Sequence, residues 1–195
     1  MKKIIVIILA FILNSCEEKY SSLTEKNTNV ENLLTNIKPN KNIKYWQLEY
    51  FSVKKIKNIP DKIILKKGKY INELPITEFK RGFFGALISY RIIYFEDNQW
   101  KVVDNENLLK QFIGEIDNEY EAFLIAKINN YSIDSELQDG NGYIKTDFGY
   151  KIKVMKYKSC PVSKESFTML ITKDGQIENT KSNGIYFKSS DCISH

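Results

Sequence analysis

The side chains with the most distinctive chemistry in this chain are its three cysteines. Cys16 follows an apolar run at the N-terminus, whereas Cys160 and Cys192 lie near the C-terminus. In an oxidising compartment, an even pair of thiols is expected to form a disulfide. The bridge would close a loop of about 30 residues, for which loop-closure entropy predicts about 3–4 kcal/mol of stabilisation. The alternative is two free thiols.

The first residues of the chain indicate the compartment. Two lysines precede an unbroken apolar run from Ile4 to Leu13, and polar residues follow Cys16. A membrane-spanning helix needs about 20 apolar residues, and this run has the shorter length typical of a signal peptide. Residues 1–15 are therefore predicted to be a signal peptide. The alternative is a buried strand or a short uncleaved anchor.

The segment Leu13-Asn14-Ser15-Cys16 resembles the lipobox of bacterial lipoproteins. Leu13 matches its aliphatic position and Ser15 its small position, whereas Asn14 departs from the small or β-branched residue usual between them. The resemblance implies that the Cys16 thiol receives a diacylglyceryl group, that the chain is cut after Ser15, and that the new amine is acylated as well. Two or three acyl chains together give a stable membrane anchor.

The same resemblance implies a place in the cell. It predicts a lipid-anchored protein of the bacterial cell envelope, with the membrane as a partner through the N-terminal acyl chains. The acidic pair Glu17-Glu18 favours the outer membrane, because such residues accompany surface display in some lipoproteins; a solvated linker is the alternative, and the leaflet stays open. Residues 16–28 are polar and are predicted to be the lipidated cysteine and a mobile tether.

Other chemistry is poorly supported by the residue types present. The sole histidine is the terminal His195, and no phosphate-binding, dinucleotide-binding or nucleophile-elbow motif occurs. Residues 139–144 resemble the middle of a calcium loop, but Leu137 and Phe148 occupy the positions that need carboxylates. We predict no catalytic residue, no metal and no cofactor.

The composition is that of a folded domain with a mild charge. Hydrophobic residues make up 43% and aromatic residues 13% of the chain, which is enough for a core. The net charge is +5 before the two lysines of the signal peptide are lost. Nucleic acid is not expected as a partner, because its recognition requires a concentrated basic face. Residues 29–195 are predicted to be one globular domain, with a possible subdivision near Val103.

The first half of the domain is predicted to combine a short helix with antiparallel strands. An apolar stripe indicates a helix over 30–37, and alternation in residues 44–53 indicates a strand whose Gln47 and Glu49 face water. Lysines surround a predicted edge strand at 63–65; a cationic patch for head groups or an acidic partner is the alternative. Phe83 and Phe84 are expected to pack inward, or else to form an exposed recognition patch. Residues 86–95 indicate a central strand followed by a hairpin.

The second half is predicted to contain two helices and a meander. The helices lie near 105–113, capped by Asp104, and 118–129, capped by Asp117 or Asn118. Turns at 174–175 and 183–184 divide the C-terminal strands into an antiparallel meander of about four strands. The fold class is therefore α+β, with antiparallel sheets and about three short helices.

The order of elements in residues 117–190 is similar to the PepSY-type module of bacterial envelope proteins. In that module a helix packs across a short antiparallel meander, and some members are thought to restrain peptidases. The favoured function is a non-catalytic binding or interaction protein, anchored in the envelope, with an unknown protein or small ligand as its partner. The alternatives are a peptidase-restraining or immunity-type inhibitor and a carboxylate-dependent hydrolase.

Overall fold

Two four-stranded antiparallel sheets form the frame of the protein. A computed structural model describes residues 18–39, 43–52, 59–69, 82–84 and 88–193. The first sheet has the order β2-β1-β3-β4 and the second the order β5-β6-β7-β8. The strands are β1 (Tyr45–Ser52), β2 (Lys62–Gly68), β3 (Ile88–Glu96), β4 (Gln99–Val103), β5 (Gly142–Thr146), β6 (Gly149–Ser159), β7 (Val162–Thr172) and β8 (Ile177–Lys188). The predicted α+β class and the C-terminal meander are confirmed.

In the described part of the chain, three α-helices lie between the two sheets: α1 (Val30–Thr35), α2 (Glu106–Ile113) and α3 (Glu119–Ile128). Helices α1 and α2 contact the first sheet and α3, and α3 contacts β6 and β7 of the second sheet. Residues 122–126 of α3 are apolar and completely buried, as expected of a helix covered on every side. One continuous hydrophobic core therefore joins residues of both sheets, such as Leu48 and Ile152.

Asparagine side chains cap all three helices. Asn29 and Asn118 accept hydrogen bonds from backbone N–H groups in the first turn of α1 and α3, and Asn118 is one of the two caps predicted for α3. The prediction that Asp104 caps α2 is wrong. Asn105 has the extended backbone of a capping residue, and its Oδ1 lies 3.0 Å from the backbone nitrogen of Leu108. Asp104 lies one residue too early and instead accepts a hydrogen bond from Asn105 Nδ2.

The prediction that one face of β1 is wet is also wrong. Gln47 and Glu49 are buried, although both lie opposite the face that carries Leu48. Glu49 pairs across the sheet with Arg91 of β3, so that the charge of each side chain is compensated within the protein. Alternation of polar and apolar residues was therefore a correct indication of a strand and an incorrect indication of solvent exposure.

The predicted turn at Asn183-Gly184 does not form. Strand β8 runs through both residues, and its pairing with β7 shifts register at several places. Gly184 has a φ of +94°, which a bulge tolerates. The side chain of Asn183 bonds the hydroxyl oxygens of Ser166 and Thr168 on β7, which holds the irregular strand to its neighbour.

The disulfide predicted from the cysteine count is confirmed. Cys160 lies in the turn between β6 and β7, and Cys192 follows β8. Their bond joins the two ends of the last hairpin. Leu13, Ser15 and Cys16, the residues of the predicted lipobox, lie outside the described residues.

The segment that follows the cysteine is not wholly the mobile tether that was predicted. Ser21 exchanges two backbone hydrogen bonds with Tyr143, of 3.0 and 2.7 Å, and so extends the second sheet beyond β5. The side chain of Asn141 bonds both backbone groups of Leu23, at 3.0 and 2.8 Å. Leu23 is buried in the core. Among the described helices, none is long and apolar enough to cross a bilayer.

Candidate functional site

A cleft of about 710 Å³ opens where the end of α3 meets the start of α2. Its volume lies in the range of small-molecule sites. Its walls come from α1, α2, α3 and the chain after α3. The lining residues are Val30, Phe84, Glu106, Asn107, Lys127, Ile128, Asn129, Asn130, Tyr131 and Ser132.

Lys127 is the chemically distinctive side chain of this cleft. It is half-buried, and burial lowers the pKa of its ammonium group. The ammonium lies 5.8 Å from the centre of the Phe84 ring, which offers a weak cation–π contact. Within the described ranges, Lys127 forms no ion pair with a carboxylate. The cleft therefore presents a cation whose charge the surrounding described residues leave uncompensated.

Two helix ends meet at the cleft, and their dipoles favour opposite charges. Lys127 lies in the last turn of α3, where the negative end of the helix dipole favours a cation. Glu106 and Asn107 lie in the first turn of α2, where the dipole favours an anion. The Glu106 carboxylate accepts a hydrogen bond of 3.3 Å from the backbone nitrogen of Phe84. The cleft can therefore offer one cation to an anionic group of a ligand. It can also offer one carboxylate to a hydrogen-bond donor of that ligand.

Apolar side chains complete the walls. Phe84, Val30 and Ile128 are half-buried at the cleft, and Tyr131 packs edge-on against Phe167 at 5.4 Å. Phe83, by contrast, is buried and bridges to Tyr90 of β3. Of the two neighbouring phenylalanines, one is thus a core residue, as expected, and the other borders the cleft.

Two of the buried carboxylates, Glu49 and Glu96, are each paired with a cation. Glu49 pairs with Arg91 Nε at 2.6 Å, and Glu96 pairs with Lys101 Nζ at 2.7 Å. Each of these carboxylates is thereby committed to a neighbouring cation. The arrangement supports roles in stability for both.

Asp134 is the centre of a further buried cluster. It accepts hydrogen bonds from Lys164 Nζ at 2.9 Å and from the Tyr186 hydroxyl at 2.8 Å. Burial raises its pKa, but the bonds from Lys164, Tyr186 and nearby backbone N–H groups outweigh burial, so its pKa is lowered overall. The cluster ties the loop after α3 to β7 and β8.

Glu121 joins α3 to the chain after α1. Its carboxylate accepts hydrogen bonds from the backbone nitrogens of Lys38, at 2.8 Å, and Asp117, at 3.0 Å. Burial raises its pKa to about 7, in opposition to these two bonds. The reciprocal bond expected of a capping box thus goes to Asp117 instead of Asn118.

The cleft was not predicted from the sequence. A lysine in the last turn of a helix is normally a solvated partner of the helix dipole, so nothing in the sequence distinguished Lys127 from the other lysines. Phe84 was indicated as a candidate for a recognition patch, because it is one of two aromatic residues between glycines.

Neither a metal site nor a relative adds to this description. Within the residues that the structure describes, no group of three His, Cys, Asp or Glu side chains could hold a metal ion. No family model, no curated protein and no solved structure matches the chain.

Proposed function

We propose that the chain is a lipid-anchored binding protein of the bacterial envelope that holds a small organic anion in the cleft beside Lys127. The observation that carries the ligand class is the half-buried Lys127 ammonium, which has no carboxylate partner among the described residues. A charge-assisted hydrogen bond from such a group to a carboxylate or phosphate is stronger than a neutral one. Glu106 favours ligands that also carry an amino or hydroxyl donor.

The anchor is proposed from the lipobox-like segment that ends at Cys16. Acylation there would hold the binding domain at a membrane, with the outer membrane as the proposed address. The protein would catalyse no reaction and would act by retaining its ligand at that surface.

Replacing Lys127 with Met is expected to weaken anion binding by about tenfold or more, because one charge-assisted hydrogen bond is lost. The measurement is isothermal titration calorimetry with amino acids, hydroxy acids and simple carboxylic acids as probes. Lys26→Met removes an exposed lysine outside the cleft and is the matched control. Equal affinities of Lys127→Met and the unaltered protein would exclude the cleft as the site.

Replacing Cys16 with Ala is expected to abolish lipid attachment and to release the protein from membranes, or to leave it unprocessed. The two measurements are membrane fractionation and the mass of the N-terminal peptide. Cys160→Ala, which breaks the distant disulfide with Cys192 but keeps Cys16, is the control and should stay in the membrane fraction. A Cys16→Ala protein that is cut and membrane-bound like the unaltered protein would refute the anchor.

The packing of α3 on β6 and β7 supports a second candidate, a restraint on a peptidase. A helix across a meander is what the PepSY-like order of elements implies for residues 117–190. Inhibition of envelope peptidases by the purified domain is the measurement for this candidate, and it would be independent of Lys127.

A further inference from the structure

The N-terminal segment is fixed to the second sheet almost as far as the proposed lipid. Glu18 forms an ion pair with Lys151 of β6, and Ser21 pairs with Tyr143 of β5. Between Glu18 and Ser21, the ring of Tyr20 lies under Lys153. The Lys153 ammonium is 4.3 Å from the centre of that ring. A Cβ added at Gly142 would come within 3.0 Å of the Tyr20 ring, so that the ring lies directly on the sheet.

The short distance to Cys16 limits how far this sheet can lie from a bilayer. Cys16 lies two positions before Glu18, and an extended chain spans at most about 7 Å over two positions. A mobile tether of a dozen residues would have left the domain free to rotate. A docked segment instead places one edge of the second sheet next to any membrane that holds the acyl chains.

The face of the sheet at this edge carries basic residues. Lys151 and Lys153 alternate with the core residues Ile152 and Val154, so they lie on the face away from the helices. Lys153 is in register with Thr168 of β7, and Thr168 with Lys181 of β8, which places Lys181 on the same face. Neither Lys153 nor Lys181 forms an ion pair with a described carboxylate.

The loop that contains Asp139 covers part of this face, because the buried Ser166 hydroxyl donates to the Asp139 backbone oxygen. Leu170, in register with Lys151, is half-buried and apolar. A carboxylate, Glu178, also lies on this face, but on β8, at the edge of the sheet opposite to the docked segment. Lys153 and Lys181 can therefore meet negative charge, whereas Lys151 is already paired with Glu18.

We propose that the outer face of the second sheet, defined by Lys151, Lys153, Thr168, Leu170 and Lys181, lies against the bilayer and contacts anionic lipid head groups. The proposal rests on the proposed lipid anchor at Cys16. Juxtamembrane lysines are attracted to anionic leaflets. The first sheet, on the other side of the helical layer, then faces away from the membrane.

The test uses full-length lipidated protein in vesicles of phosphatidylglycerol and bromine-labelled phosphatidylcholine. Bromine quenches tryptophan near the bilayer. Leu170→Trp is expected to lose much of its added emission, and Ile63→Trp on the first sheet is expected to lose none. The unaltered protein supplies the background of Trp46 and Trp100. Equal quenching of the two variants would overturn the proposed orientation.

Head-group contact is tested by reversing one charge. In the Leu170→Trp background, Lys153→Glu is expected to reduce quenching in anionic vesicles, whereas Lys69→Glu, directly after β2 of the first sheet, is expected to leave it unchanged. If Lys153→Glu leaves the quenching unchanged, the proposed head-group contact is overturned. The mass of the Cys16 peptide separates the two proposals: without lipid on Cys16 both fail, and with lipid but without selective quenching only the orientation fails.

Discussion

Arg91→Met is expected to lower the free energy of unfolding by about 3–5 kcal/mol, because it leaves a buried carboxylate without its cation. The side chains of Arg91 and Glu49 are each 3% exposed, and Arg91 Nε lies 2.6 Å from Glu49 Oε2. Methionine has a similar length but no charge. The Glu49 carboxylate would therefore be buried without compensation, or would have to bind a proton.

The ion pair is the end of a polar chain along β1. The Tyr45 hydroxyl donates to Gln47 Oε1 at 2.7 Å, and Gln47 Nε2 donates to Glu49 Oε1 at 2.5 Å. The Arg91 guanidinium also lies 4.6 Å from the centre of the Phe51 ring. Because the members of this chain orient one another, loss of Arg91 is expected to disturb Gln47 as well.

Urea unfolding of the oxidised domain measures this loss. Arg91→Met combined with Glu49→Leu is expected to recover most of the stability, since the unpaired charge is then removed too. Lys62→Met is the matched control. It breaks an exposed pair with Glu31 of 3.4 Å and should cost less than about 1 kcal/mol. An Arg91→Met protein as stable as Lys62→Met would contradict the prediction.

The burial of Arg91 and its pairing with Glu49 were not predicted from the sequence. Alternation along β1 indicated a strand, but whether its polar face meets water depends on β3, which lies some forty residues away. The available signal was an arginine, the one charged residue in the mostly apolar run of residues 88–95. A charge in a central strand requires a partner, and Glu49 was available in the strand predicted over residues 44–53.

Local features were predicted more successfully than distant ones. Asn118 caps α3, and Asp97 and Asn98 adopt the positive φ values of a tight hairpin, because both depend on a few neighbouring residues. The docking of Leu23 on Asn141 joins residues 118 apart in sequence. The cleft at Lys127 likewise needs the ends of separate helices to meet. Neither arrangement leaves a pattern in the local sequence.

Glu121 is expected to make the protein less stable as the pH rises from about 5 to 8. Its pKa is about 7 in the folded protein and about 4.3 in an unfolded chain. Between these values the folded state holds a proton that the unfolded state has lost, so raising the pH favours unfolding. The loss is about 3 kcal/mol across this window and ends above pH 7, where both states are ionised.

Glu121→Gln is expected to remove this part of the pH dependence. Glutamine resembles the protonated carboxyl group and keeps one oxygen to accept from the backbone nitrogen of Lys38 or Asp117. The variant should therefore approach the stability of the unaltered protein at pH 5 and gain relative to it at pH 8. Urea unfolding at both pH values is the measurement, with Glu119→Gln at the same end of α3 as the control. Parallel pH profiles of Glu121→Gln and the unaltered protein would show that Glu121 is already ionised at pH 5, which would mean that its two backbone hydrogen bonds outweigh its burial.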